Sequence, residues 1–473
     1  MTNTDHTPQK KTRNLTLMVL AILLALSLSL LAGQQRANAV TFPGIYTVNS
    51  TVDAPDPNHN DNTCDANLSN VPVCTLRAAI EQANAHPGAD AIRFAIPGSG
   101  VHTIHVNSSG YGQLPTITDT VTIDGYTQGD GTPGDPSDDA TVNTLAKGTN
   151  AVLKIELDGS QVAGSASGLH VDAPDVVVKG LVINRFLYNV WVDDAADHTK
   201  IQGNFIGTYP SGTKAPAGSG NGVTIADHTT PAYNVVGGSA LAARNLISGN
   251  SAYGVLLSGS NYNGVQGNLI GTQRDGKSPL GNGYSGASGY SGVAVGGSHN
   301  LVGGGTPDYA NTIAFNKGDG IETLGGWGND IDSNSVFSNG GLGINLVGGT
   351  ESTSGATAND KGDADTGSND LQNKPVLNSA KKSSTGKTVV KGTLNSNPNQ
   401  DFRVQFFSNP KGTNEGKKLL GSKYVSTDGS GNVSFTFATT KKVSLGQNVT
   451  ATATDRNAYD TSEFSAPRKV VAS

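Results

Sequence analysis

Short motifs return along this chain at a regular spacing. Asn204-Phe-Ile-Gly-Thr208 recurs as Asn268-Leu-Ile-Gly-Thr272, and Asn245-Leu-Ile-Ser-Gly-Asn250 has counterparts at residues 311–316 and 334–339. The repeated asparagines are separated by one or two multiples of roughly 20–23 residues, a period typical of solenoids in which each coil packs on the next. Because the motifs are short Val, Ile and Leu runs punctuated by Gly, which forms tight corners without steric penalty, an all-β solenoid is favoured.

The first 39 residues have the pattern of an export signal. Basic residues at positions 10–13 precede an apolar run over residues 15–31, and Ala37-Asn-Ala39 follows. We interpret residues 1–39 as a signal peptide cleaved after Ala39, with a retained membrane anchor as the alternative. The mature chain is then predicted to be secreted, extracellular or at the cell surface, and to contain no membrane span.

A cap module is predicted over residues 40–100. Cys64 and Cys74 are the two cysteines of the chain, and their close spacing in an exported protein predicts one local disulfide. Residues 75–85 form the one convincing helix, with Thr75 as its N-cap. Its apolar face is expected to cover the open end of the first coil.

The rest of the chain divides by composition. Coils of about 22 residues are expected over residues 101–349. Residues 350–373 have the polar, acidic composition of a linker without a core. Residues 374–473 contain seven short strand patterns separated by turn signals, which indicates an immunoglobulin-like β-sandwich.

Several segments resemble a known arrangement of domains. Cys74-Thr-Leu-Arg-Ala-Ala79 resembles the N-terminal module named for its Cys-Ser-Leu-Arg-Glu-Ala motif, from which this chain departs at Thr75 and Ala78. Segments such as Gly203-Asn-Phe-Ile-Gly-Thr208 resemble the right-handed parallel β-helix that follows this module in many exported bacterial proteins, and the tail is similar to the sandwich that often closes them. The resemblance implies a right-handed parallel β-helix with an N-terminal capping helix and a C-terminal β-sandwich. It implies no catalytic residues.

The repeated asparagines have two interpretations. A row of amides can bind sugar hydroxyls, or inward asparagines at a coil corner can bond to one another and to the backbone as a ladder. Because Asn245, Asn268, Asn311 and Asn334 recur in phase with the apolar residues, the ladder is favoured.

The charge of the chain changes at the predicted linker. Residues 40–373 carry 13 Lys and Arg against 31 Asp and Glu, a balance of −18, which disfavours nucleic acid as a partner. Residues 374–473 carry 15 against 6, a balance of +9, and are expected to contact extracellular polysaccharide or an anionic surface polymer, with solubility alone as the alternative. The candidate contact residues are three pairs of adjacent lysines: Lys381, Lys382, Lys417, Lys418, Lys441 and Lys442.

Two acidic clusters are weak candidates for catalysis. A glycoside hydrolase needs two carboxylates roughly 5–9 Å apart, and neighbouring coils, stacked about 4.8 Å apart, can supply them. The first cluster contains Asp193, Asp194, Asp197 and His198, with Asp227 and His228 nearby in sequence. The second contains Asp319 and Glu322, with Asp330 and Asp332. No polygalacturonase or lyase motif accompanies them, so solvated acidic loops are the other interpretation.

The predicted linker contains a possible calcium site. Asp360, Asp363, Asp365 and Asp370 alternate with small residues, as loops that present oxygen ligands do. An EF-hand is excluded because the terminal Glu is missing at the required spacing. A plain acidic linker is the alternative.

These patterns together favour an exported, non-catalytic β-helix protein that contacts extracellular polysaccharide or a cell surface. One alternative is a polysaccharide lyase or glycoside hydrolase with its site on a lateral face of the β-helix. The other is a structural protein of the envelope or matrix.

Overall fold

The chain folds as a right-handed parallel β-helix that begins at a capping helix and ends against a β-sandwich, as predicted. The computed structural model describes residues 44–67, 71–107, 109–129, 139–226, 232–284, 289–348 and 355–473. The predicted signal peptide, Asp227 and His228 lie outside these residues. In the described part, no helix is both long and apolar enough to cross a membrane.

Three parallel sheets form the walls of the described coils. Sheet A consists of Ile45–Val48, Asp90–Phe94, Val121–Asp124, Val177–Lys179, Lys200–Gln202, Val235–Gly237, Gly264–Gln266, Leu301–Gly303 and Asp330–Asp332. Sheet B consists of His102–His105, Ile155–Asp158, Leu181–Asn184, Phe205–Ile206, Leu246–Ile247, Leu269–Ile270, Thr312–Ala314 and Ser335–Phe337. Sheet C consists of Ser167–Val171, Tyr188–Val192, Asn221–Ala226, Val255–Ser258, Val293–Val295, Ile321–Thr323 and Ile344–Leu346. Short 3₁₀ turns occur at Gly125–Thr127, Leu241–Ala243, Pro307–Tyr309 and Ser368–Leu371.

In-register pairing stacks like residues in the core. In sheet B, Ile206 pairs with Ile247, Ile247 with Ile270, and Ile270 with Ile313, and all four are fully buried. Most coils are longer than the predicted 22 residues, since successive sheet A strands start at residues 121, 177, 200, 235, 264, 301 and 330, and only the step from 177 to 200 matches the prediction. Insertions at the corners account for the difference.

The capping helix covers the first coil as expected. It spans Leu76–Ala85, and the Thr75 hydroxyl accepts a hydrogen bond from the Ala78 N–H. The predicted Cys64–Cys74 disulfide is confirmed. Arg77 is buried and donates to both carboxylate oxygens of Asp53, at 2.7 and 3.0 Å, which ties the helix to the segment before the disulfide.

Asparagine ladders run along all three corners of the described coils. The ladder before sheet B contains Asn204, Asn245, Asn268, Asn311 and Asn334. The ladder after sheet B contains Asn250, Asn282, Asn316 and Asn339. The ladder before sheet A contains Asn234, Asn263, Asn300, Asn329 and Asn369. At each step a side-chain oxygen accepts from the backbone N–H of the asparagine one coil earlier. The predicted ladder is therefore confirmed, and the structure adds two more.

The sandwich contains six of the seven predicted strands near their expected positions. Its strands are Val376–Lys382, Thr388–Asn395, Asp401–Asn409, Lys418–Ser426, Asn432–Thr439, Asn448–Asp455 and Arg468–Ala472. The seventh strand pattern, at residues 462–465, does not become a strand: this segment meets Asn448–Asp455 through an isolated bridge between Thr461 and Thr454 and through two hydrogen bonds, from the Ser462 and Ser465 N–H groups to the Ala453 and Ala451 carbonyl oxygens, each at 2.8 Å. Phe464 and Phe407 belong to the same apolar cluster as the last coils.

The sandwich and the preceding segment also complete two asparagine ladders. Glu415 accepts from the side chain and the backbone N–H of Asn339, at 2.9 and 3.2 Å. Asn369 accepts from the Asn329 N–H at 3.0 Å and is fully buried. Residues 368–373 therefore differ from the predicted linker, since they contribute to the closed end of the β-helix.

Candidate functional site

The first acidic cluster is divided between two parts of the surface. Asp193 lies at the end of a sheet C strand, where its carboxylate is 3.0 Å from Nε2 of His170 on the neighbouring strand. Trp191 contacts His170 edge-on. Burial raises the pKa of Asp193, but hydrogen bonds from His170 and the Asp194 N–H outweigh it, so this pKa is lowered overall. An ionised carboxylate next to an imidazole can orient a sugar hydroxyl or hold a proton.

The other members of that cluster do not join this pair. Asp194 is exposed, and Asp197 and His198 lie at the corner before sheet A. His198 stacks on Tyr233 at 5.5 Å between ring centroids. His170 and Trp191 were not predicted from the sequence. His170 is 23 residues away from Asp193, and only the register of the two strands brings His170 next to Trp191 and Asp193.

The second acidic cluster lies farther along the same face. Glu322 is on the outer side of sheet C and accepts from the Ser291 hydroxyl at 2.7 Å. Asp319 accepts from the Asn345 amide at 2.9 Å. Burial raises the pKa of Glu322, the Ser291 hydroxyl lowers it, and the nearby Asp319 carboxylate raises it, with a net increase. A carboxyl group with a raised pKa near a second carboxylate is the arrangement that acid-catalysed glycoside cleavage uses.

Asp330 and Asp332 have a different role from the one predicted. Both bind the Arg403 guanidinium of the sandwich, with nitrogen–oxygen distances of 2.5 and 2.9 Å. The Asp332 side chain is 4% exposed, and those of Asp330 and Arg403 are each 16% exposed. This ion pair holds the sandwich to the last coil, so these carboxylates are not available to a substrate.

Three of the four predicted calcium ligands meet. Asp360, Asp363 and Asp365 place carboxylate oxygens within 4.8 Å of one another, whereas Asp370 is not part of this group. The pKa of Asp363 is raised to about 7: burial and, to a smaller extent, the Asp360 and Asp365 carboxylates raise it, and hydrogen bonds from Ser396 and Asn373 lower it. Such crowding of acids is relieved by a divalent cation with oxygen preference.

Calcium is expected to raise the melting temperature of the full mature chain, because an ion that binds the folded state alone stabilises it. Asp365→Asn should remove most of that rise while it leaves the Asp363 contacts to Ser396 and Asn373 in place. Asp401→Asn, which changes an exposed carboxylate elsewhere, is the matched control. Superimposable melting curves in calcium and in chelator would leave the acidic-loop interpretation.

The three lysine pairs gather at one end of the sandwich. Lys382 donates to the carbonyl oxygen of Val443, the residue after Lys442, at 2.8 Å. Lys441 donates to the carbonyl oxygen of Leu419, the residue after Lys418, at 3.2 Å. The Lys417 ammonium lies over the Phe337 ring of the β-helix, 4.1 Å from its centroid. Among the described residues, none of the six ammonium groups forms a salt bridge. We call this set of six lysines the basic end.

Because most of its acidic residues are buried, the sandwich exposes a more basic surface than the charge balance of its whole sequence indicates. Four of its six carboxylates are buried near the β-helix or in the sheet, namely Glu415, Asp455, Asp460 and Glu463. The pKa of Asp460 is raised to about 7: burial and, to a smaller extent, the Asp370 and Asp455 carboxylates raise it, and a hydrogen bond from the Gly328 N–H lowers it. Asp401 and Asp428 are thus the acids of residues 374–473 that face solvent.

Comparison with known proteins gives distant likenesses. No protein-family model matches the chain, and no curated protein matches it either. The structure is similar to the Dettilon tailspike protein gp208, at 13% identity over 87% of this chain and 94% of that one, with a TM-score of 0.25. It is also similar to the enzymatically active domain of tailspike protein 2 from bacteriophage CBA120, at 11% identity over 80% of this chain and 69% of that one, with a TM-score of 0.20. Likenesses of this size carry no information about what the present chain binds.

Proposed function

We propose that this is an exported β-helix protein that contacts anionic extracellular polysaccharide through the basic end of its sandwich. The observation that carries the proposal is the convergence of three lysine pairs, which form no salt bridge among the described residues, on a domain whose acids are mostly buried. Several ammonium groups outside salt bridges attract a polyanion by their summed field more than any one of them does. Residues 40–373, which carry a balance of −18, would be repelled by the same polymer.

The proposed function goes with the domain boundaries that the sequence predicts. Residues 1–39 are the signal peptide, 40–100 the cap module of the Cys-Ser-Leu-Arg-Glu-Ala type, and 101–349 the β-helix. The acidic segment 350–373, with calcium as its possible ligand, leads into an immunoglobulin-like sandwich at 374–473. Because residues 368–373 and the sandwich complete the ladders, the sandwich and β-helix would act as one body.

Replacement of all six lysines of the basic end by Gln should abolish retention of the full mature chain on polygalacturonate and dextran sulfate. The parent should be retained at about 50 mM salt and released by about 300 mM, since the screening length falls below about 10 Å over that range. Retention is measured on columns of each polyanion, with uncharged dextran as the reference matrix.

A second six-lysine variant controls for net charge. Six exposed lysines of the β-helix and the acidic segment can be changed to Gln for the same charge difference: Lys147, Lys200, Lys214, Lys277, Lys317 and Lys361. This variant should be retained like the parent. Equal loss in both variants would show that net charge alone matters, and an unretained parent would refute the proposed contact.

The second candidate function is glycoside hydrolysis on the outer face of sheet C. The net increase in the pKa of Glu322, next to Asp319, favours it. The same polysaccharide panel distinguishes the two, because hydrolysis releases new reducing ends whereas binding does not. Unsaturated ends would instead indicate a lyase.

A further inference from the structure

A row of aromatic rings follows the corner between sheets C and A. The row consists of His198, Tyr233, Tyr262, His299 and Trp327, one from each of five successive coils. Neighbouring ring centroids are 5.5, 5.7, 4.7 and 4.2 Å apart. Tyr233, Tyr262 and Trp327 were not predicted from the sequence as site residues, because the steps between them along the chain are irregular.

The backbone at this corner does not favour large side chains. Four residues of the row have a left-handed backbone, with φ between 54° and 60°: His198, Tyr233, Tyr262 and His299. Gly and Asn adopt this conformation readily, whereas bulky residues adopt it rarely. On the last coil the same position, two residues before the sheet A strand, is Gly328, with φ of 71°. Residues kept in such conformations are concentrated at functional sites.

The ladder before sheet A holds these rings in place. Tyr233, Tyr262 and His299 each immediately precede a buried ladder asparagine. The rings nevertheless reach solvent, with Tyr233 49% and Trp327 51% exposed. The row is thus a preorganised surface, since its backbone is fixed by buried hydrogen bonds while its side chains stay accessible.

The row carries little charge. Burial lowers the pKa of His299, which disfavours the charged form of this imidazole. Beside the row, the outer face of sheet A presents the partly exposed Val235 and Leu301. Charged side chains lie at the two ends of the row: Asp197 and Lys200 at its first coil, and at its last coil the buried Asp460, which accepts from the Gly328 N–H, and Asp330, which pairs with Arg403. A neutral ligand fits this surface better than a polyanion does.

We propose that the aromatic row binds a neutral polysaccharide chain that lies along the axis of the β-helix. The pairs His198–Tyr233 and Tyr262–His299 are stacked, at interplanar angles of 29° and 24°, and so partly cover one another's faces. Pyranose C–H groups would therefore meet the exposed parts of these rings and the Trp327 ring, and tyrosine hydroxyls can bond to sugar hydroxyls. Trp327 is turned by 75° from His299, so its half-exposed ring is available as a platform at the end of the stack. The coil rise of about 4.8 Å is close to the advance of one sugar in an extended β-linked chain, which lets one sugar face each coil.

The test uses mixed-linkage β-glucan and glucomannan as probes for the full mature chain. Binding by the parent should be little changed between about 50 and 300 mM salt, since screening acts on charges alone. Tyr233→Asn with Tyr262→Asn, and separately Trp327→Ala, should weaken binding by about tenfold or more, measured by affinity electrophoresis and calorimetry. Because Asn adopts the left-handed conformation readily, the double variant should unfold at the same temperature as the parent or higher.

Two controls separate this site from the others. Tyr111→Asn removes a ring that is 51% exposed but lies near the N-terminal cap, and it should bind like the parent. The six-lysine variant of the basic end should also keep its neutral-glycan binding. Loss of polyanion binding can then be distinguished from loss of binding at the aromatic row. A parent that binds neither neutral glycan, or row variants that bind as well as Tyr111→Asn, would overturn the proposal.

Discussion

Asn268→Ala should lower the free energy of unfolding by about 2–5 kcal/mol, because it leaves two or more buried polar groups without partners. The Asn268 amide donates to the Val236 carbonyl at 2.9 Å and to the Asn311 side chain at 3.1 Å. Its oxygen accepts from the Asn245 amide at 2.9 Å. The substitution therefore interrupts the ladder in the middle of the β-helix, where water cannot replace the lost bonds.

The measurement is denaturant unfolding of the full mature chain, followed by circular dichroism. Asn397→Ala is the matched control, because Asn397 is exposed and its change should alter stability by less than about 0.5 kcal/mol. Hydrogen exchange should also show faster exchange in the coils on either side of Asn268. If Asn268→Ala and Asn397→Ala unfold at the same denaturant concentration, the ladder does not stabilise the coils.

The ladder was predictable because its asparagines keep a steady phase with the apolar residues. Asn245, Asn268 and Asn311 each directly precede a sheet B strand, so their motif repeats as a unit. The ladder before sheet A was not recognised, since insertions at the neighbouring corners make its steps irregular. An aromatic residue or histidine before Asn, as in Tyr233-Asn234, Tyr262-Asn263 and His299-Asn300, was the available signal for both that ladder and the aromatic row.

The contacts of the site required knowledge of strand register and domain docking. His170 meets Asp193 because their strands pair side by side, and a shift of one residue would turn one of them into the core. Glu415 ends a ladder more than 70 residues away in sequence. Composition alone made residues 350–373 look like a linker, because Asn369 gives no local sign that its amide is buried against Asn329 and Thr461.

Arg403→Ala should destabilise the full mature chain by about 3–5 kcal/mol at pH 8, because it leaves the buried Asp330 and Asp332 carboxylates without their cation. The effect should depend on pH. Burial already raises the pKa of Asp330, which Arg403 lowers and Asp332 raises. Without the guanidinium, the pKa of Asp330 in the folded state rises further. Between the pKa of the unfolded state and this raised pKa, Asp330 is protonated in the folded state and ionised in the unfolded state. Stability of the variant should then fall as pH rises from about 4 towards the raised pKa.

The comparison is made by denaturant unfolding at pH 5 and pH 8. Arg456→Ala, which removes an exposed guanidinium that stacks over Tyr424 in the same domain, should lose less than about 1 kcal/mol at both pH values. Asp330→Asn with Asp332→Asn should restore much of the stability of Arg403→Ala at pH 8, because neutral amides leave no unpaired charge at the junction. A loss that is equal at the two pH values, or that the asparagine substitutions do not relieve, would mean that packing of the arginine stem and not its charge joins the sandwich to the last coil.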